Sequence, residues 1–364
     1  MEFHVVIPVL ISFAISLVLG PIVIPFLRRL KMGQTERELG VQSHLKKNGT
    51  PTMGGVIFLI ATTVTSLFYI RDYPMIIPVL FLTLGFGLIG FLDDYLKVVL
   101  KRSDGLLPWQ KMALQIVVTA VFAFYLVNYS NVSLTMKIPF WSGHYLNLGW
   151  FAVPVLFFAV IGTVNGVNFT DGLDGLASSV TLIVAVFFTV VSLGMNSGVE
   201  PITCAVVGSL MGFLLFNVYP AKVFMGDTGS LTLGFLIAFF GLKFYNLNIN
   251  TDMFGIQATP AVFLGIVFIP AFDTLRVFCV RIASGLSPFY PDKRHIHHKM
   301  LRLGLTHFQS AMLIIVMQTC FILMNVLMKN VNINLLFGID LLLGVLLVWQ
   351  LDRMGDRRER KGKA

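Results

Sequence analysis

Runs of roughly twenty apolar residues recur from one end of this 364-residue chain to the other, and a run of that length crosses the ~30 Å hydrocarbon core of a bilayer as one helix. They fall at about 5–27, 54–70, 75–92, 113–129, 150–168, 176–194, 202–219, 228–247, 257–278, 310–328 and 335–351. The loops left between them are too short for a separate soluble domain. Composition agrees: 56% of residues are hydrophobic and 12% charged, against ~25% charged in soluble domains. The sequence predicts an all-α, polytopic integral membrane protein with about eleven transmembrane helices, one domain over residues 1–364. The first run reads as a span rather than a cleaved signal.

Placing the N-terminus outside puts inner loops at about 28–53, 93–112, 169–175, 220–227 and 279–309, followed by a basic tail over 352–364. Of the 27 Lys and Arg, only Arg71, Lys137, Lys243 and Lys329 then face outward. The positive-inside rule therefore predicts an outer N-terminus and a cytoplasmic C-terminus. The net charge of +9 reads as topology and contact with membrane lipid, not as a nucleic-acid surface. Cys204, Cys279 and Cys320 are widely separated and read as free, buried thiols rather than disulfide or zinc partners.

The acids cluster at inner span ends beside glycines, which predicts an active site on that face. The loop Gln42–Gly55 sets Lys46 and Lys47 before a Gly- and Thr-rich turn that includes Thr52. Ammonium, hydroxyl and backbone N–H groups there suit phosphate oxygens, or else form a basic loop on anionic lipid. Asp93 and Asp94 close the third run; adjacent carboxylates need protonation, a cationic partner or a divalent cation, and Lys97 and Lys111 follow. Asn165, Asn168, Asp171 and Asp174 recur every three residues, so on one helix they would wind around a ligand. Glycines flank Asp227 at a loop-to-span junction, with Asn217 and Phe224 just upstream; that suits metal or phosphate, or an N-cap. Around residues 292–304 a short interfacial helix capped by Asp292 is expected. Its apolar face would carry Ile296, Met300 and Leu303, and its polar face His295, His298 and Arg302, turned toward a polyphosphate.

Gln-Ser-His-Leu-Lys-Lys, Gly-Thr-Pro-Thr-Met-Gly-Gly, Asp-Asp-Tyr-Leu-Lys and Asn-Phe-Thr-Asp-Gly-Leu-Asp-Gly-Leu-Ala together resemble the polyprenyl-phosphate N-acetylhexosamine-1-phosphate transferase superfamily. Over about the first 230 residues the likeness is to the phospho-N-acetylmuramoyl-pentapeptide branch. The Pro-Asp-Lys-Arg-His-Ile-His-His loop, the eleventh run and the basic tail are similar instead to the UDP-GlcNAc branch, which suggests a mosaic joined near residue 230. The resemblance implies an Mg²⁺-dependent enzyme of the bacterial cytoplasmic membrane that transfers phospho-N-acetylmuramoyl-pentapeptide from its UDP-linked donor to undecaprenyl phosphate. The products would be lipid I and UMP; GlcNAc-1-phosphate from UDP-GlcNAc is the alternative. It implies Asp227 as Mg²⁺ ligand and Asp93 and Asp94 at the lipid phosphate. Lys46, Lys111, His295, His297 and His298 would hold phosphates, His298 among the catalytic groups, with Thr52 and Arg302 also binding substrate. Asn165, Asn168, Asp171, Asp174, Asn217 and Phe224 would hold the uridine end. Direct attack with Asp93 as base and a phosphoryl-enzyme route both stay open, and a homodimer is an admissible assembly. The rival class is a secondary transporter, for which Asp340 deep in the last run and the Asp273/Arg276 pair speak, although no internal repeat is present.

Overall fold

The computed structural model describes residues 3–30, 49–102, 104–129, 135–136, 138, 140, 146–251, 256, 258–288 and 292–363. Two compact units emerge, Met1–Asn131 with Leu156–Phe244, and Val132–Val155 with Tyr245–Ala364. The first is built on α1 (Phe3–Arg29), α2 (Gly55–Leu67), α3 (Ile76–Val98), α4 (Pro108–Tyr129), α5 (Ala152–Thr170), α6 (Leu176–Met195), α7 (Glu200–Asn217) and α8 (Gly226–Thr251). The second holds a short antiparallel pair, β1 (Thr135–Met136) and β2 (Leu146–Asn147), with Thr135 opposite Asn147. It continues with α9 (Thr259–Ile266), α10 (Phe268–Ala283), α11 (Ile296–Arg302), α12 (His307–Leu327) and α13 (Ile333–Lys363).

The protein is a multi-span, nearly all-helical membrane protein. Among the described residues nine helices are long and apolar enough to cross a bilayer, and α9 with α10, bent by 87°, makes a tenth if counted as one span. The remaining apolar run, 54–70, forms only the 13 residues of α2, about 20 Å at 1.5 Å per residue. The expected count of eleven is thus nine or ten. The basic tail is helical, residues after 351 continuing α13 without a break to Lys363. Of the three free thiols, Cys204 is buried, but Cys279 and Cys320 are exposed.

Small and hydroxyl-bearing residues set the helix spacing in the first unit, as expected where apolar burial gives no preference between helix and lipid. Gly208 and Gly212 of α7 lie against Val9 and Ser16 of α1. Ser16 Oγ donates to the Ser209 carbonyl at 3.0 Å, and the Ser209 and Thr62 hydroxyls are 2.8 Å apart. Aromatic rings fill the remaining space, with Phe86 stacked on Phe235 at 5.0 Å and Phe122 edge-on to Phe235 at 5.5 Å.

Three glycines position the functional end. Gly55 at the start of α2 meets the backbone of Gly229, and Gly87 of α3 faces Leu59 and Thr232. Gly90, one turn before the acid pair, lies against the peptide joining Asp227 and Thr228. A side chain at Gly90 would push α3 off α8. Gly90→Ala should therefore destabilise the detergent-solubilised protein by about 2 kcal/mol, whereas Gly162→Ala, which points into open space on α5, should leave Tm unchanged. Thermal unfolding followed by size-exclusion fluorescence checks the pair.

Candidate active site

The C-terminal ends of α3 and α5 and the N-terminal ends of α4 and α8 supply one cluster. Asp93, Asp94 and Asp227 each offer a carboxylate oxygen, and these lie within 4.8 Å of one another. The reason for the convergence lies in α8. Asp94 accepts hydrogen bonds from Asp227 N at 3.1 Å, Thr228 N at 2.9 Å and Thr228 Oγ1 at 2.6 Å. A carboxylate from α3 thus caps α8, where open N–H groups and the helix dipole favour an anion. The N-cap that is the alternative role for Asp227 is supplied by Asp94, which leaves the Asp227 side chain for other partners.

Those partners are cationic and amide groups. Lys111 Nζ lies 2.6 Å and Lys97 Nζ 3.4 Å from Asp227 Oδ2, and Asn168 Nδ2 donates to Asp227 Oδ1 at 2.9 Å and to Ser230 Oγ at 2.7 Å. Lys97 also pairs with Asp93 Oδ2 at 2.5 Å, while Asp93 Oδ1 accepts from Leu106 N at 2.9 Å. Sequence reasoning did not count Lys97 among the site residues. The signal was present, since Lys97 is four residues after Asp93 and so on the same helix face.

Three carboxylates against two ammonium groups leave one negative charge in excess, and the all-oxygen set suits a hard divalent cation such as Mg²⁺. Thr52 strengthens the fit. It is buried, it lies with Asp94 around Gly226, and its hydroxyl has no hydrogen-bond partner among the described residues. An orphaned buried hydroxyl beside an acid cluster is a place for a ligand oxygen. Lys46 lies outside the described residues.

The Asn/Asp series does not wind around one point. The α5 helix stops at Thr170, and Asp171 and Asp174 fall in the turn before α6, where Gly175 takes the left-handed φ of +71°. Only Asn165 and Asn168 keep the helical spacing. Asn165 Nδ2 donates to Gln115 Oε1 of α4 at 2.8 Å. Asp174 accepts from Ala221 N at 3.1 Å, and Asn217 joins Ser178 Oγ at 2.6 Å to the Val223 carbonyl at 2.9 Å. Asp174 and Asn217 therefore shape the 218–225 connection. Half-buried Phe224 is fixed through its backbone, its N–H donating to the Pro51 carbonyl and its carbonyl accepting from Gly54 N, both at 2.8 Å. Asp171 stays half-buried beside the Asn168 turn.

The histidine segment belongs to the second unit. The α11 helix is only seven residues long, and Asp292 is not its cap. Asp273 of α10 accepts from Ile296 N at 3.1 Å and from the His295 ring at 2.9 Å, and pairs with Arg276 at 2.7 Å. Arg281 takes Asp292 in a two-point ion pair, at 3.0 and 2.9 Å. Burial works against that carboxylate, but the Arg281 guanidinium outweighs it and holds Asp292 below the usual carboxylate range. His295 and His297 are buried with parallel rings 5.8 Å apart, and His298, half-buried, follows at 4.2 Å from His297. Ile296 and Met300 are buried and Leu303 half-buried, as the apolar face predicts, but His295, expected on the polar face, is buried too. Arg302 engages Asp356 at 2.6 Å and Glu359 at 2.7 Å on α13.

A model of glycosyl transferase family 4 matches residues 76–245, and signature 1 of phospho-N-acetylmuramoyl-pentapeptide-transferase matches 47–59. Among similar proteins bearing that enzyme's name, one from Acetivibrio thermocellus is 52% identical over 228 residues, covering 62% of this chain and 68% of its own. One from Clostridioides difficile is 47% identical over 236 residues, 64% and 73% of the two chains. One from Clostridium perfringens is 40% identical over 326 residues, 87% of this chain and 95% of its own. A match of that length runs well past residue 230, so the expected mosaic with a GlcNAc-type enzyme finds no support.

The two adjacent acids should separate by experiment. Asp94→Ala removes the charge that caps α8 and should cost about 1–2 kcal/mol, read as a lower Tm in detergent. Asp93→Asn keeps most of its geometry and should leave Tm within error of the parent. Equal Tm losses would show that Asp94 is not the cap described.

Proposed function

Because this chain belongs to the phospho-N-acetylmuramoyl-pentapeptide-transferase family, we propose that it transfers phospho-N-acetylmuramoyl-pentapeptide from the UDP-linked donor to undecaprenyl phosphate in the bacterial cytoplasmic membrane. An oxygen of the acceptor phosphate attacks the donor's β-phosphorus, the bond from that phosphorus to the α-phosphate bridge breaks, and UMP leaves with lipid I as the other product. The observation that carries the reading is the set of three carboxylates and two lysines held at the start of α8.

Each residue's role follows from what already holds it. Asp227 is the group for Mg²⁺, with Asp94 spending its oxygens on α8. The bound ion supplies charge neutralisation at the diphosphate. Lys111 and Lys97, now paired with acids, turn their ammonium groups to phosphate oxygens when the substrates enter, and Lys46 and Thr52 join them. Asp93, anchored by the Leu106 N–H, is placed to take a proton from the acceptor phosphate. Asn168, Asp171 and Phe224 receive the uridine end, and Asn165, Asp174 and Asn217 hold the backbone around them. His297 and His298 are further groups for phosphate in this reading.

Orientation follows from charge. The helix ends that carry the site also carry Lys97, Lys101, Arg102 and Lys111, so this face is cytoplasmic by the positive-inside rule. With α9 and α10 crossing as one span the end of α13 is then inside, and with the short α2 crossing as well the N-terminus is outside.

Labelled transfer to undecaprenyl phosphate should proceed with the muramoyl-pentapeptide donor, stop on chelation and return with Mg²⁺. Asp227→Asn should abolish it while the protein stays folded, and Asp93→Asn should slow turnover by at least ~10²-fold. Product from UDP-GlcNAc alone would overturn the donor assignment. Near-normal activity of Asp227→Asn would overturn the metal site.

A further inference from the structure

A seven-residue helix does not sustain itself in water, so α11, which carries His297 and His298, depends on its neighbours. Its first turn is tied to Asp273 of α10. Its last turn is held by the end of α13. Asp352, Asp356 and Glu359 are spaced by four and three, which puts them on one face of that helix. Lys299 of α11 pairs with Asp352, and Arg302 donates through Nη2 to Asp356 at 2.6 Å and through Nε to Glu359 at 2.7 Å.

Glycines let the two helices come this close. Gly355 of α13 lies against the Arg302 side chain, and Gly304, just after α11, lies against the Arg358 guanidinium at a φ of +76°. Arg353 points elsewhere, its guanidinium 5.2 Å from the Trp349 ring. The tail, basic in total, therefore turns its three acids toward the histidine segment.

We propose that Lys299 and Arg302 are positioning residues rather than substrate ligands, and that the acidic face of the α13 extension clamps α11 so that its histidines are held ready for the donor phosphates. This rests on the reading that His297 and His298 serve the transfer reaction. Arg302 places two different nitrogens, Nη2 and Nε, on two carboxylates of α13, so its fork is matched to that helix.

The test uses the full chain in detergent micelles with labelled donor and undecaprenyl phosphate. Asp356→Arg with Glu359→Arg should lower kcat about fivefold, the size two exposed ion pairs together account for, with little change in donor KM. Adding Arg302→Glu to that variant should restore kcat to within about twofold. Hydrogen exchange at the amides of residues 296–302 should speed up about fivefold in the double variant and recover in the triple. A triple variant that stays inactive while the double is normal would make Arg302 a substrate ligand and overturn the proposal, as would unchanged exchange in the double. His297→Ala with normal turnover would refute the histidine reading instead, leaving the exchange result to decide the clamp.

Discussion

The carboxylate of Asp94 at the start of α8 is the interaction on which the site depends. A helix that begins at the membrane edge exposes N–H groups with positive partial charge, and here an acid from another helix meets them. That bond ties the last turn of α3 to the first turn of α8, and Gly90 lets the two backbones touch one turn below. Asp227 is the second residue of α8, so fixing the helix start fixes its side chain. Lys97, Lys111 and Asn168 then gather around Asp227 from three different helices.

Much of this was legible in the sequence, because its physics is local. Apolar run length gave the spans, and acids beside glycines at span ends marked the site face. Lys97 was readable too, from its spacing to Asp93. The Asn/Asp series misled because its period of three suits a helix, whereas Gly172 and Gly175 end that helix among the four residues. Which neighbour each polar group then meets is a tertiary matter: the partner of Asn165 is Gln115, fifty positions away. Likewise no sequence signal told that the acids of a basic tail would meet Lys299 and Arg302 of α11, because helix rotation is set by packing. The length of α2 was overread, since apolar character continues past Leu67 into residues that form turns.

Some polar residues within the apolar helices of the second unit meet one another, although Asp340 Oδ2 and Asn325 Oδ1 are buried with no hydrogen-bond partner among the described residues. Asp340, which as a lone acid would suggest an ion path, accepts from Asn325 at 2.8 Å and is fully buried. Phe268 stacks on Phe321 at 3.8 Å and on Phe272 at 4.9 Å, so the start of α10 is packed by rings from its own helix and from α12.

The break between α9 and α10 has a further consequence. A chain that turns by 87° inside a lipid-facing unit leaves backbone groups without helical partners, and the side chain of Gln318 on α12 supplies them. Its Oε1 accepts from Ile269 N at 2.9 Å and its Nε2 donates to the Ile266 carbonyl at 2.7 Å. One amide thus serves both edges of the corner, acting as the hinge pin of an elbow that another helix carries. The direction in which α10 leaves the elbow, and with it the place of Asp273, is then set by where α12 holds that one amide.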